Sequence, residues 1–289
     1  MSTLGSVSTP PPRGRASSFT AVPVHAVLPT LITLALIAGP LLALLVRTPW
    51  GSLPQLLAEP AALAAVRLSV LTALAATAVS ALLGTPTALV LATVLEQSRA
   101  RRLSWALYGL IYTPIIFSPV VSGLALLFFW GRRGLLGSWL ETAGLSVAYT
   151  PLAVVLAQTF VALPFFVATL VTTLRALPPE YAEIARLEGA SPTEVTTRVL
   201  LPLAAPGLLT AAVLTFARAL GEYGATVTFA GNIEGVTRTL PLAIDLALSS
   251  NRMDAALGAA LMLIALYLGL LAAGAFALWL GRLKGNRQA

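Results

Sequence analysis

Six stretches of this chain carry no charged side chain: residues 16–46, 68–95, 103–131, 142–174, 199–217 and 255–281. The shortest holds 19 residues. A helix crossing about 30 Å of hydrocarbon at 1.5 Å per residue needs about 20 residues. No water is available there, so each backbone N–H and C=O must be bonded within its own helix. The stretches therefore predict an all-α membrane protein with six transmembrane helices. Composition agrees: 10% of residues are charged and 57% are hydrophobic, against about 25% charged in soluble proteins.

Residues 1–25 are rich in Pro, Ser and Thr and are expected to form a disordered tail. The apolar run that follows ends at Arg47-Thr48-Pro49-Trp50 without a small-x-small cleavage pattern, so it reads as a retained helix. Residues 26–281 then form one transmembrane domain, and 282–289 a second short tail. Prolines 86, 114, 119, 151 and 164 fall inside or beside the spans. Membrane helices tolerate them where neighbours satisfy the freed carbonyls.

Arginine and lysine give the orientation. With the N-terminus in the cytoplasm, eleven such residues lie inside and six outside, with Arg218 inside a span. Arg132-Arg133 opposes the trend. The bias predicts a multi-pass protein of the cytoplasmic membrane with both termini and the loop 175–202 in the cytoplasm. The net charge of +7 does not indicate nucleic acid, because the arginines stand at span ends and not on one face. There is no cysteine, hence no disulfide or thiolate metal site. Lys284 is the sole lysine, and no G-x-x-x-x-G-K-[ST] loop surrounds it. Any ATPase must be another polypeptide.

The loop 175–202 reads as two short helices. Pro178-Pro179-Glu180 starts the first, placing a carboxylate at the positive helix end. Tyr181, Ile184 and Ala185 form its apolar stripe, and Gly189 can end it in the left-handed conformation. Ser191-Pro192-Thr193-Glu194 has the form of a capping box, and Val195 and Val199 share a face beyond it. Helices this short need a groove to bury their apolar side. Their charges nearly balance, so a protein partner suits them better than anionic lipid.

Glu183-Ile184-Ala185, three residues, Gly189, nine residues, then Val199-Leu200-Leu201-Pro202 resembles the EAA motif of ABC-importer permeases. Ile184 stands for an Ala and Val199 for an Ile. The resemblance implies the type I permease fold, with cytoplasmic coupling helices between helices 4 and 5. It implies that Glu183, Ala185, Gly189, Ala190, Ser191, Pro192, Leu201 and Pro202 meet an ATPase dimer. ATP and Mg would be used by that partner, with no cofactor on this chain. A second segment narrows the family. Phe216-Ala217-Arg218-Ala219-Leu220-Gly221-Glu222-Tyr223-Gly224-Ala225-Thr226, Phe229-Ala230-Gly231-Asn232 and Thr237-Arg238-Thr239-Leu240-Pro241 are similar to molybdate and tungstate permeases, as is 157–165. Sulfate permeases share part of this pattern.

The resemblance implies a dimer of identical permease chains embedded in lipid and an external oxyanion-binding protein. The chain itself would catalyse no covalent chemistry. Arg218 and Glu222, one helical turn apart, can pair. With Thr226 and Thr228 they are candidates for the translocation path or outer gate. A structural ion pair is the other reading. Residues 231–254 are expected outside, with 240–248 a short helix at the membrane surface. A sulfate or thiosulfate permease is the alternative within the family. An ion-coupled secondary transporter would need acidic residues at mid-membrane, which the spans lack. A non-transporting scaffold would leave the loop without a purpose.

Overall fold

A computed structural model of the chain describes residues 24–96 and 101–285. The expected tail 1–25 lies outside the described residues except for Val24-His25, which open the first helix, and 286–289 of the second tail also lie outside. Among the described residues there are helices and connections and no strand. The chain divides into two compact units, Met1–Thr48 and Pro49–Ala289. The first contains α1 (Val24–Arg47), long and apolar enough to cross a membrane over Ala26–Arg47. Thr30 and Thr33 give their hydroxyls to carbonyls one turn back, which satisfies them in an apolar medium.

The second unit runs α2 (Leu53–Ala58), α3 (Pro60–Glu96), α4 (Arg101–Ile116), α5 (Pro119–Trp130), α6 (Gly137–Thr142) and α7 (Pro151–Arg175). It continues with α8 (Glu180–Leu187), α9 (Pro192–Glu194), a π-helical stretch (Val195–Leu200) and α10 (Leu201–Leu203). Then come α11 (Ala205–Leu220), α12 (Gly224–Ala230), α13 (Leu240–Ser249) and α14 (Met253–Gly285). Among the described residues four helices are each long and apolar enough to span: α1, α3, α7 and α14. The count reaches six when two bent pairs are each taken as one span.

The third and fifth expected spans are thus broken. Trp105–Ile116 and Pro119–Trp130 meet at 114°. Ser118 is extended with ψ 142°, as the residue before a proline prefers, and Pro119 has no N–H to carry the ladder across. Pro192–Leu203 and Ala205–Leu220 meet at 69°. Just past the break Pro206 has no N–H to give to the Pro202 carbonyl; ahead of it, Pro202 cannot donate to Arg198, and its ring presses on that carbonyl in a regular helix. The backbone widens instead, and Leu201 N–H bonds to the Thr196 carbonyl five residues back.

The core is built around α7, whose start is capped by Thr150 and Pro151. Towards that start, Val154 and Ala157 pack with Leu126 of α5 and Phe229 of α12. Towards its end, Phe166 and Leu170 pack with Leu91 of α3 and Ala211 of α11. Between these, Ala73, Ala76, Ala162 and Ala219 bring α3, α7 and α11 together; small side chains allow such close approach in a membrane. The short helix expected at 240–248 is present as α13. One side of it packs into the bundle: Leu240 and Leu242 are fully buried, with Leu240 against Ala65 and Ala259, while Leu248 is exposed.

Candidate functional site

Two regions hold the sequence-derived candidates. The first is the loop between α7 and α11. Helix α8 ends in a Schellman motif: Ala190 N–H donates to the Ala185 carbonyl at 3.0 Å and Gly189 N–H to that of Arg186 at 3.0 Å. This geometry requires Gly189 at φ +87°, where a side chain is strained. The next residue opens a capping box. Ser191 N–H donates to Glu194 Oε2 at 3.1 Å, and Glu194 N–H returns to Ser191 Oγ at 3.3 Å. The bonds from the Ser191 backbone and hydroxyl hold the Glu194 carboxyl below its usual range. Arg198 adds an ion pair to it at 3.1 Å.

The structure moves the apolar stripe of α8. Tyr181, Ile184 and Leu187 are exposed, while Ala185 is half-buried. Leu187 therefore belongs with the outward face, at spacing i, i+3, i+6. Val195 is buried and Val199 half-buried. Of the motif residues, Glu183, Gly189, Ser191, Pro192 and Pro202 are exposed, and Ala190 and Leu201 half-buried. The loop thus presents three large apolar side chains beside its charges.

The second region is the corner between α11 and α12. Arg218 Nη1 meets Glu222 Oε2 at 2.8 Å. The other carboxylate oxygen accepts from Ala225 N–H at 2.9 Å, so Glu222 also caps α12. Its side chain is 2% exposed and that of Arg218 32%. A Cβ on Gly221 would meet the Tyr267 hydroxyl of α14 and force that side chain to shift. Thr228 gives its hydroxyl to Gly224 O at 2.9 Å and sits against Gly123 of α5. Thr226 is fully buried, with no partner for its hydroxyl. Arg218 is the one member of the candidate set on this corner whose charge reaches the surface.

Sequence reasoning did not identify three features here. Tyr267 is distant in sequence and carries no motif. Gln158 of α7 is fully buried with both amide atoms unpartnered, as are the hydroxyls of Ser122 and Thr159; buried polar atoms of this kind are uncommon. The segment from Asn232 to Leu240 is a hydrogen-bonded lock. Arg238 donates to Asn232 Oδ1 at 2.8 Å and to Glu234 at 2.6 Å, and Asn232 donates to the Leu242 carbonyl at 3.0 Å. Leu240 N–H reaches Ser69 Oγ of α3 at 2.8 Å.

Comparison with known proteins agrees with this architecture. Residues 84–283 match the family model "binding-protein-dependent transport system inner membrane component". The chain is 46% identical to the molybdenum transport system permease protein ModB of Mycobacterium tuberculosis, over 85% of this chain and 90% of that one. It is 35% identical to the sulfate transport system permease protein CysW of Synechocystis, over 69% and 70% respectively. Its fold matches a chain of a bacterial alginate ABC transporter in complex with alginate pentasaccharide-bound periplasmic protein. The TM-score is 0.65 at 17% identity, covering 86% of this chain and 91% of that one. The fold is that of type I ABC-importer permeases, and the chain belongs to the family of binding-protein-dependent transport system inner membrane components.

Proposed function

We propose that the chain is the membrane-spanning subunit of an ATP-driven importer for molybdate or its analogue tungstate. The observation that carries this is the 46% identity to a molybdenum permease over 85% of the chain. Two copies would form the pore in the cytoplasmic membrane, with both termini and the loop 175–202 in the cytoplasm. An ATPase dimer would dock on the face carrying Tyr181, Ile184 and Leu187, and would hold the ATP and Mg. A binding protein would deliver the oxyanion at the opposite end, near 231–254. Arg218 already shares its charge with Glu222, so it would lend positive potential without holding a dianion tightly. Sulfate is the second reading, favoured by the 35% identity to a sulfate permease.

The test is uptake in cells lacking this chain. Restored molybdate uptake that excess sulfate does not suppress supports the proposal; restored sulfate uptake alone replaces it with the second reading. The purified chain without its ATPase should hydrolyse no ATP. Gly189→Arg should lose the ATPase on co-purification while Gly189→Asn, which accepts the same backbone conformation, keeps it. Equal retention in both would detach the loop from the docking role.

A further inference from the structure

Arg67 stands where charged sequence ends, since residues 68–95 carry no charge. It lies seven residues into α3, about 10 Å along the helix axis. Arg132, Arg218 and Arg238 each meet a carboxylate. Arg67 is exposed and forms no ion pair among the described residues.

Beside it opens a cleft of about 510 Å³ bounded by α3, α7 and Gly235 of the segment before α13, whose walls include Ala64, Leu68, Leu71, Pro151 and Val155. Thr72 also lines it, but its hydroxyl is already given to the Leu68 carbonyl at 2.8 Å. The side chains of the cleft therefore offer one cation and otherwise carbon. A free tetrahedral dianion would find one guanidinium, at most the Gly235 backbone beside it, and carbon elsewhere. An amphiphile with a phosphate head satisfies both parts. Arginine binds phosphate in a planar fork, and apolar walls at the edge of the hydrocarbon suit an acyl chain.

We infer that this cleft holds a phospholipid, with its phosphate on Arg67 and the first part of an acyl chain along Leu68, Leu71 and Val155. The inference does not depend on which oxyanion is transported. The experiment is native mass spectrometry of the intact complex in detergent. The added probe is dioleoylphosphatidylglycerol or, as a control without phosphate, dioleoylglycerol. Wild type should retain the phospholipid, and Arg67→Gln should weaken its retention about tenfold, the loss of one charge-assisted contact. Leu71→Trp, which fills the cleft and leaves the charge, should lower retention as well. Dioleoylglycerol should show no dependence on Arg67. A chain lacking cysteine also permits a single Leu71→Cys probe, which should not crosslink to its copy. Equal phospholipid retention in wild type and Arg67→Gln overturns the proposal. Displacement by free molybdate or sulfate would assign the site to a soluble oxyanion instead. An efficient Leu71→Cys crosslink would show a second copy covering the cleft.

Discussion

The loop between α7 and α11 and the corner between α11 and α12 use the same device in opposite surroundings. In each, a glutamate accepts backbone hydrogen bonds at a helix start and pairs with an arginine four residues away: Glu194 with Arg198, Glu222 with Arg218. The side chain of Glu194 is 42% exposed and that of Glu222 2%. Exposed pairs are screened and cost side-chain freedom, so they add little. A buried charge that loses its partner has no water to replace it. The loop can thus exchange its internal contacts for contacts with another protein, whereas the corner cannot let its own go. The glycines differ in the same way. Gly189 supplies a backbone angle in open space, and Gly221 supplies room beside Tyr267.

The sharpest way to break this comparison is Glu222→Gln. It should destabilise the complex by about 2–3 kcal/mol, less than a wholly buried pair would because Arg218 keeps a third of its exposure. Thermal unfolding of the complex in detergent measures it. The double substitution Arg218→Met with Glu222→Met should recover most of the loss. If uptake returns with stability, the pair is structural; if stability returns and uptake does not, Arg218 serves transport. A Glu222→Gln midpoint equal to wild type would put the two glutamates in one class.

Next in size are the glycines. Gly221→Ala should cost about 1–3 kcal/mol by overpacking, and adding Tyr267→Phe should recover part of it by removing the hydroxyl. Gly189→Ala should cost about 1–2 kcal/mol from its backbone angle alone, and Gly189→Asn less. Unfolding midpoints of the four variants check both statements. Rescue of Gly221→Ala by any change away from Tyr267 would refute the space argument.

The smallest effect belongs to the capping box. The Glu194 carboxyl is held low in the folded chain, so its contribution is full above the ordinary carboxylate value of 4.5 and fades as pH falls through the folded value. Amide exchange at Ser191, whose N–H donates to the Glu194 carboxylate, should be slower in wild type than in Glu194→Ala at neutral pH. The two should converge in acid. A difference of the same size in acid would mean that ionisation of Glu194 adds nothing to the cap.

Much of this was legible in sequence because it rests on charge and backbone chemistry. Ser191-Pro192-Thr193-Glu194 announces its own cap, and Gly189 its own turn. Charge-free length measures the thickness to be crossed but not straightness, so the break at Ser118-Pro119 looked like one span. Helices apolar on most sides carry little periodic signal to say which neighbour they meet. For that reason the approach of Tyr267 to Gly221, the insertion of α13 into the bundle and the isolation of Gln158 appear only in three dimensions. The motif around Arg238, a family marker in sequence, proves to be a knot of hydrogen bonds tied to α3.

The back-to-back caps at Gly189 and Ser191 have a consequence for the shape of the loop. Between Ala185 and Glu194 the turn is braced by bonds made inside the segment itself. The shape of this turn is thus set by its own hydrogen bonds and not by the rest of the bundle. Beyond it the backbone widens into the π-helical turns of Val195–Leu200. Those six residues join the braced turn to the bent span.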